Sequence, residues 1–198
     1  MAAPLLFCTA EEAKPFVHKV MAVKLQGTDE SLFNLVESRA GPRRDAEAQS
    51  QRQSQRCFKR ALGQDEAFGA EFIGAPEHEC QAWALEMQAR HNFIEQDLIG
   101  IADARSARDG TLLIQFYGRA PGLECGDDKG VFPRETETNT WHGFRIDYRE
   151  AERVSASLQF GASEVVYPVY FGRKEELTDE RGVFDVARAE RICGGEES

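Results

Sequence analysis

Cys80 and His142 are the residues whose types invite a catalytic reading, because a thiol paired with an imidazole can act as nucleophile and base. Cys80 lies close behind Ala75-Pro76-Glu77-His78-Glu79, which reads as a helix start with Pro near the first helical position. A thiol in that place has its pKa lowered by the helix dipole. His142 falls on an expected strand, where Asp147, Asn139 or Gln115 could orient the ring. Other features oppose the pairing. Glu77 and Glu79 precede the thiol and raise its pKa, and Cys80 shares a helical stripe with Trp83 and Met87. His142 shares its strand face with Phe144, Ile146 and Tyr148. The plainer reading, a core thiol and a partly buried histidine, is preferred. No catalytic residue is assigned, and an enzyme would have to use Cys80, His142 and Asp147.

A Cys on a helix followed about sixty residues later by a His on a strand resembles the papain-like amidohydrolases and transglutaminases. That resemblance implies a hydrolase or acyltransferase with Cys80 as thiolate and His142 as base. Metal chemistry has less support. His78 and Cys80 are two apart on the expected helix and do not share a face, and His91 lies further along it. The acidic loop around Asp127 and Asp128 lacks the order of a calcium loop. No metal and no cofactor is expected. Neither phosphate-binding glycine motif occurs, nor does a nucleophile elbow or a His-Glu-x-x-His string.

The 120–141 stretch, APGLECGDDKGVFPRETETNTW, suggests recognition of another protein. It is turn-rich and long for a loop within a domain, which marks a functional or mobile segment. Phe132 and Trp141 stand in it among Glu124, Asp127, Asp128, Glu135 and Glu137, with Arg119 at its entrance. An aromatic inside an acidic rim has the composition of a binding hot spot. The competing reading is a plain surface loop whose two aromatics tuck into the core.

Charge points the same way. The chain has 198 residues and a formal net charge of −10. Nucleic-acid binding draws its affinity from neutralising phosphates, so this balance argues against it. Arg39, Arg43, Arg44, Arg52, Arg56, Lys59 and Arg60 crowd one segment and are read as a solvated helix face. An acidic protein is steered toward a basic partner, so the expected partner is another protein, basic in character. No apolar run is long enough to span a bilayer. The start, MAAPLLFCTA, lacks a basic n-region, so the chain as written is expected to be cytoplasmic. A mature form lacking its signal peptide would be extracytoplasmic. Of five cysteines, no two have Cys-x-x-Cys spacing, and free buried thiols are expected; export would allow up to two disulfides.

The positioning elements follow from periodicity. Thr9-Ala-Glu-Glu12 has capping-box form, followed by Phe16, Val17, Val20 and Met21 at helical spacing. A second short helix is expected to start at Thr28 or Asp29 and bury Leu32, Phe33, Leu35 and Val36, with Gly41-Pro42 ending it. Residues 43–63 read as an exposed helix or a linker, and 68–73 as a strand or a loop. Cys80, Trp83, Ala84, Met87 and His91 form the stripe of a main core helix. A hairpin pairs 97–104 with 111–117 across Ser106-Ala107-Arg108-Asp109-Gly110. Alternation then predicts strands at 142–148, 154–160 and 165–171, the last an edge strand or bulge because of Pro168. Val183–Ile192 is a strand or short helix.

These elements predict one α+β domain over 1–198, with N-terminal helices packed on a mainly antiparallel C-terminal sheet. Residues 1–96 form the mostly helical half, 97–192 the mostly β half, and 193–198 a frayed tail. The expected function is an acidic protein that recognises and neutralises a partner protein, as an inhibitor or toxin-immunity protein does. Cys–His catalysis and a structural or assembly role are the alternatives.

Overall fold

The first strand, β1 (Ala3–Cys8), has all six residues buried. An unbroken apolar run fits a strand covered on both faces. The computed structural model describes residues 3–25, 28–40, 58–91, 94–118 and 139–196. Its sheet has the order β2-β1-β3-β4-β5, with β2 at Asn34–Leu35, β3 at Ile94–Ala102, β4 at Thr111–Gly118 and β5 at Thr140–Asp147. β1 runs parallel to both β2 and β3, while β3, β4 and β5 are antiparallel in turn. The fold is α+β, and its sheet is mixed.

Helices cover both faces. On one, α2 (Glu77–Arg90) buries Cys80, Ala84 and Met87 with Leu5, Phe7, Ile99 and Ile101 of the strands. Phe7, Phe72 and Trp83 meet edge to face there, with ring centroids 4.9–5.8 Å apart. The other face carries α1 (Lys14–Met21), α4 (Ala151–Phe160), α5 (Ser163–Tyr167) and α6 (Val186–Cys193), which pack on Leu6, Leu98, Ile114 and Phe144. Strand alternation divides the apolar side chains between these two layers.

The 97–104 and 111–117 strands pair as expected, with Leu98 opposite Phe116 and Ile101 opposite Leu113. Their connection is not a two-residue turn. It is α3 (Ala104–Asp109), whose start Asp103 caps by accepting from the Ser106 N–H at 2.9 Å. The Ser106 hydroxyl completes the capping box by accepting from the Asp103 N–H. Gly110, with φ +73°, takes the left-handed conformation that ends the helix. The Asp-Gly pair is therefore a helix terminus. In contrast, Thr9 forms no cap, and the 3-10 turn Glu11–Ala13 leads into α1 without one.

Three further expectations are overturned. Residues 28–36 form no helix. Asn34 and Leu35 pair with β1, and the Asn34 amide donates to the Ala3 carbonyl at 3.0 Å. The expected strands at 154–160 and 165–171 are helical. Ala151, Val154, Ser155 and Leu158 are buried at i, i+3, i+4 and i+7, whereas Ala156 and Phe160 are exposed. Val166, Val169 and Tyr170 are buried at the same spacing, and Pro168 opens a π-helical turn (Pro168–Gly172). Period-two alternation at 154, 156, 158 and 160 overlaps the helical stripe at 154 and 158, and the core selected the latter. The chain beyond β5 is thus mainly helical, not mostly β. Cys193, placed in the frayed tail, closes α6.

Candidate partner-binding site

β4 and β5 pair in register along their whole length, from Thr111 opposite Asp147 to Gly118 opposite Thr140. Gly118 and Thr140 therefore stand at the same end of the sheet. At that end Tyr117 faces Trp141 across the ladder, with ring centroids 5.2 Å apart and both side chains partly exposed. Cross-strand aromatic pairs of this kind also stabilise the ladder itself.

The adjacent pair, Phe116 with His142, points to the other face. There the Phe171 ring lies 4.9 Å from His142 and 5.6 Å from Phe116, and Tyr167 lies 5.4 Å from Phe116. α4 runs back from the far end of β5, so α5 and the π-helical turn can bring Tyr167 and Phe171 here. The end of the sheet is consequently aromatic on both faces.

Two acidic side chains, Glu95 and Asp97, also lie at this end, near Tyr167. Glu95, which is buried at the start of β3, accepts from the Asp97 N–H at 2.9 Å and from the Leu98 N–H. Burial pushes the Tyr167 hydroxyl up to about 12, with added push from the Asp97 and Glu95 carboxylates.

Of the expected contact residues, Trp141 occupies the position just described. Arg119, Glu124, Asp127, Asp128, Phe132, Glu135 and Glu137 lie outside the described residues.

The residues of the Cys–His reading are not brought together. Cys80 packs on the α2 face with Leu5, Phe7 and Ile99, whereas His142 points to the opposite face against Phe171. A full strand layer separates them. Cys80 is fully buried, and burial pushes its thiol up to about 12, with Glu79 and Glu77 adding to the rise and Arg39 opposing it. Desolvation thus outweighs the helix dipole. Asp147 points to the α2 face at the far end of β5, five residues and roughly 17 Å from His142. There it accepts from the Arg149 N–H at 3.0 Å and caps a 3-10 turn (Tyr148–Glu150). Gln115 is bound on the α2 side as well, donating to Glu77 Oε2 at 2.6 Å and accepting from Gln81 Nε2 at 3.0 Å.

Among the described residues, no three His, Cys, Asp or Glu side chains come together to hold a metal ion. Cys8, Cys80 and Cys193 are free thiols. No helix among the described residues is long and apolar enough to cross a membrane.

Sequence reasoning missed Phe160 and Val165, which are 66 % and 42 % exposed and are the large hydrophobics that stand out in solvent among the described residues. A signal for them was available. Between Val154 and Gly172 the only charged side chain is Glu164, in a chain that is 29 % charged. No protein-family model matches the chain, and neither the curated proteins nor the solved structures provide a match.

Proposed function

We propose that this protein binds another protein, one with a basic contact surface, through the end of the β4–β5 ladder, and acts by occupying that surface as an inhibitor or immunity protein does. The observation that carries the reading is the Tyr117–Trp141 pair, two partly exposed aromatic rings 5.2 Å apart on a rigid ladder. The 119–138 segment, with Glu124, Asp127, Asp128, Glu135 and Glu137, departs from this place. Large amphipathic rings on a fixed frame bind with little loss of conformational entropy. The chain's excess of carboxylates speeds encounter with a basic partner and disfavours acidic ones.

Separation of Cys80 from His142 by the sheet removes the arrangement on which the catalytic alternative depended. An assembly role would instead appear as a large stable homo-oligomer in light scattering.

The test is affinity capture with wild-type protein, a variant lacking 124–138, and Trp141→Ala, followed by measurement of the purified partner's affinity for each. Both changes should weaken binding about tenfold or more, as expected when a central aromatic anchor is lost. A partner held equally by all three proteins would sink this surface.

A further inference from the structure

We infer that the partner contributes an extended segment, which adds to the outer edge of β5 as a further antiparallel strand and lays a large apolar side chain over Gly143. The inference rests on the proposed partner-binding function and names the chemistry by which that same end of the ladder holds its partner.

The two edges of the sheet differ. At β2 the chain closes its own edge: the Leu35 N–H donates to the Lys59 carbonyl at 2.9 Å, and the Ser31 N–H donates to the Arg60 carbonyl at 2.8 Å. At β5 the cover stops early. The Arg145 carbonyl accepts from the Phe184 N–H at 2.7 Å and so points away from β4. Backbone groups along a strand alternate between its two edges, so those of Gly143 and Trp141 point the same way as those of Arg145. Among the described residues, no hydrogen bond reaches the outward N–H and C=O of either one. The stretch 140–144, TWHGF, holds no proline and no Lys, Arg, Asp or Glu, the residues that ordinarily guard an exposed edge.

Nothing within the described chain requires a glycine at 143. Its backbone is not left-handed, and a Cβ there would meet Gln115 Cγ at 3.5 Å, an ordinary contact. Glycine weakens a strand, and it recurs where another backbone or a ligand approaches closely. Trp141, two residues away on the same face, is partly exposed beside this bare backbone. A side chain standing opposite Gly143 on an added strand covers the glycine and reaches the indole diagonally.

Hydrogen bonding selects the occupant. Outward donors and acceptors repeated at every second residue are matched by an extended backbone, the mode by which a peptide joins a sheet edge. A second copy of the chain would set a net charge of −10 against −10, whereas a basic segment is attracted.

The experiment uses the full chain and the fluorescein-labelled peptide Lys-Thr-Phe-Thr-Val-Thr-Lys, with binding read by fluorescence anisotropy. Two N-methylated forms keep every side chain. One is methylated on Phe and Val, whose N–H groups face β5 when Phe stands opposite Gly143. The other is methylated on the threonines that follow Phe and Val, whose N–H groups face away. The parent and the threonine-methylated peptide should bind alike, and the Phe- and Val-methylated peptide about tenfold or more weakly. Gly143→Val and Trp141→Ala should each weaken the parent peptide about tenfold. Thermal melts check folding, and Gly143→Val, which suits a strand, should melt no lower than wild type. Equal binding of the two methylated peptides overturns strand addition. So does failure of the parent peptide to bind wild type, and so does a dimer in sedimentation equilibrium that Gly143→Val dissolves. The purified partner separates the two readings. Partner binding lost in Trp141→Ala but kept in Gly143→Val overturns strand addition and leaves the β4–β5 end standing, whereas partner binding kept in both variants overturns both.

Discussion

Cys80 and His142 lie on opposite faces of one sheet, the first beneath α2 and the second against Phe171. Burial, not the helix terminus, controls the thiol. In the folded protein at neutral pH, Cys80 (held up to about 12) and Cys8 (held up to about 11 by burial) should resist iodoacetamide. Cys193, only partly buried near the C-terminus of α6, should alkylate before either. Mass spectrometry of the alkylated peptides checks the order, and Cys80 reacting as fast as in urea would refute it.

Asp103 joins several elements at the other end of the sheet. It caps α3 and pairs with Arg145 of β5, whose side chain is only 12 % exposed. Burial alone would raise this carboxyl, but hydrogen bonds from Arg145 and from the Ser106 N–H outweigh it and hold the group below its ordinary range. A folded pKa below the unfolded value of about 3.9 gives stability that is present above that pH and is lost as pH falls through the folded value. Asp103→Asn should cost about 2 kcal/mol at pH 7, since it leaves a mostly buried guanidinium without its carboxylate, while Asn can still cap α3. Urea titrations at pH 7 and pH 3 should show the gap between wild type and variant narrowing in acid. A gap that stays constant would mean that the ion pair is not responsible.

Gly161 is required for space, not for its backbone angles, because its φ of −69° suits any residue. A Cβ there would stand 2.5 Å from the Ser157 carbonyl oxygen and from Val166 Cγ2. Gly161→Ala should destabilise by about 1–3 kcal/mol through overpacking. An unchanged thermal midpoint would show that α4 and α5 separate easily.

Gln115 is 3 % exposed and fastens the start of α2 to β4 through Glu77 and Gln81. Gln115→Ala should cost about 1–2 kcal/mol, because two hydrogen bonds are lost, one of them to a carboxylate. Hydrogen exchange should show the first turn of α2 opening more readily while β1 stays protected. Uniform loss of protection across the domain would contradict this local role.

Much of the site's frame was legible in the sequence. The stripe of Cys80, Ala84 and Met87 marked α2, and the alternation of Phe144 with Ile146 marked β5. The apolar runs around Asp109-Gly110 marked the antiparallel pair β3 and β4, although not the helix between them. Local pattern was silent about β1. The run from Pro4 to Cys8 is short and not alternating, and only its position between two parallel strands explains why both faces are apolar.

Sequence alone determined the charge balance, the apolar periodicities, the charge-poor stretch 154–172 with its single Glu164, and the aromatic identities of Tyr117, Trp141 and Phe160. Tertiary structure decided what those residues meet. Period two and period 3.6 share positions 154 and 158, so only the sheet's unoccupied face could select helix and turn Phe160 outward. Whether Cys80 reaches His142 depended on which side of the sheet α2 covers, and on the parity of residue 142 in β5. Side-chain direction in a strand reverses with each residue, and register is set by partner strands far away in sequence. That is the physical reason the chain's composition could suggest a binding protein, while only the fold could decide which side chains share one surface.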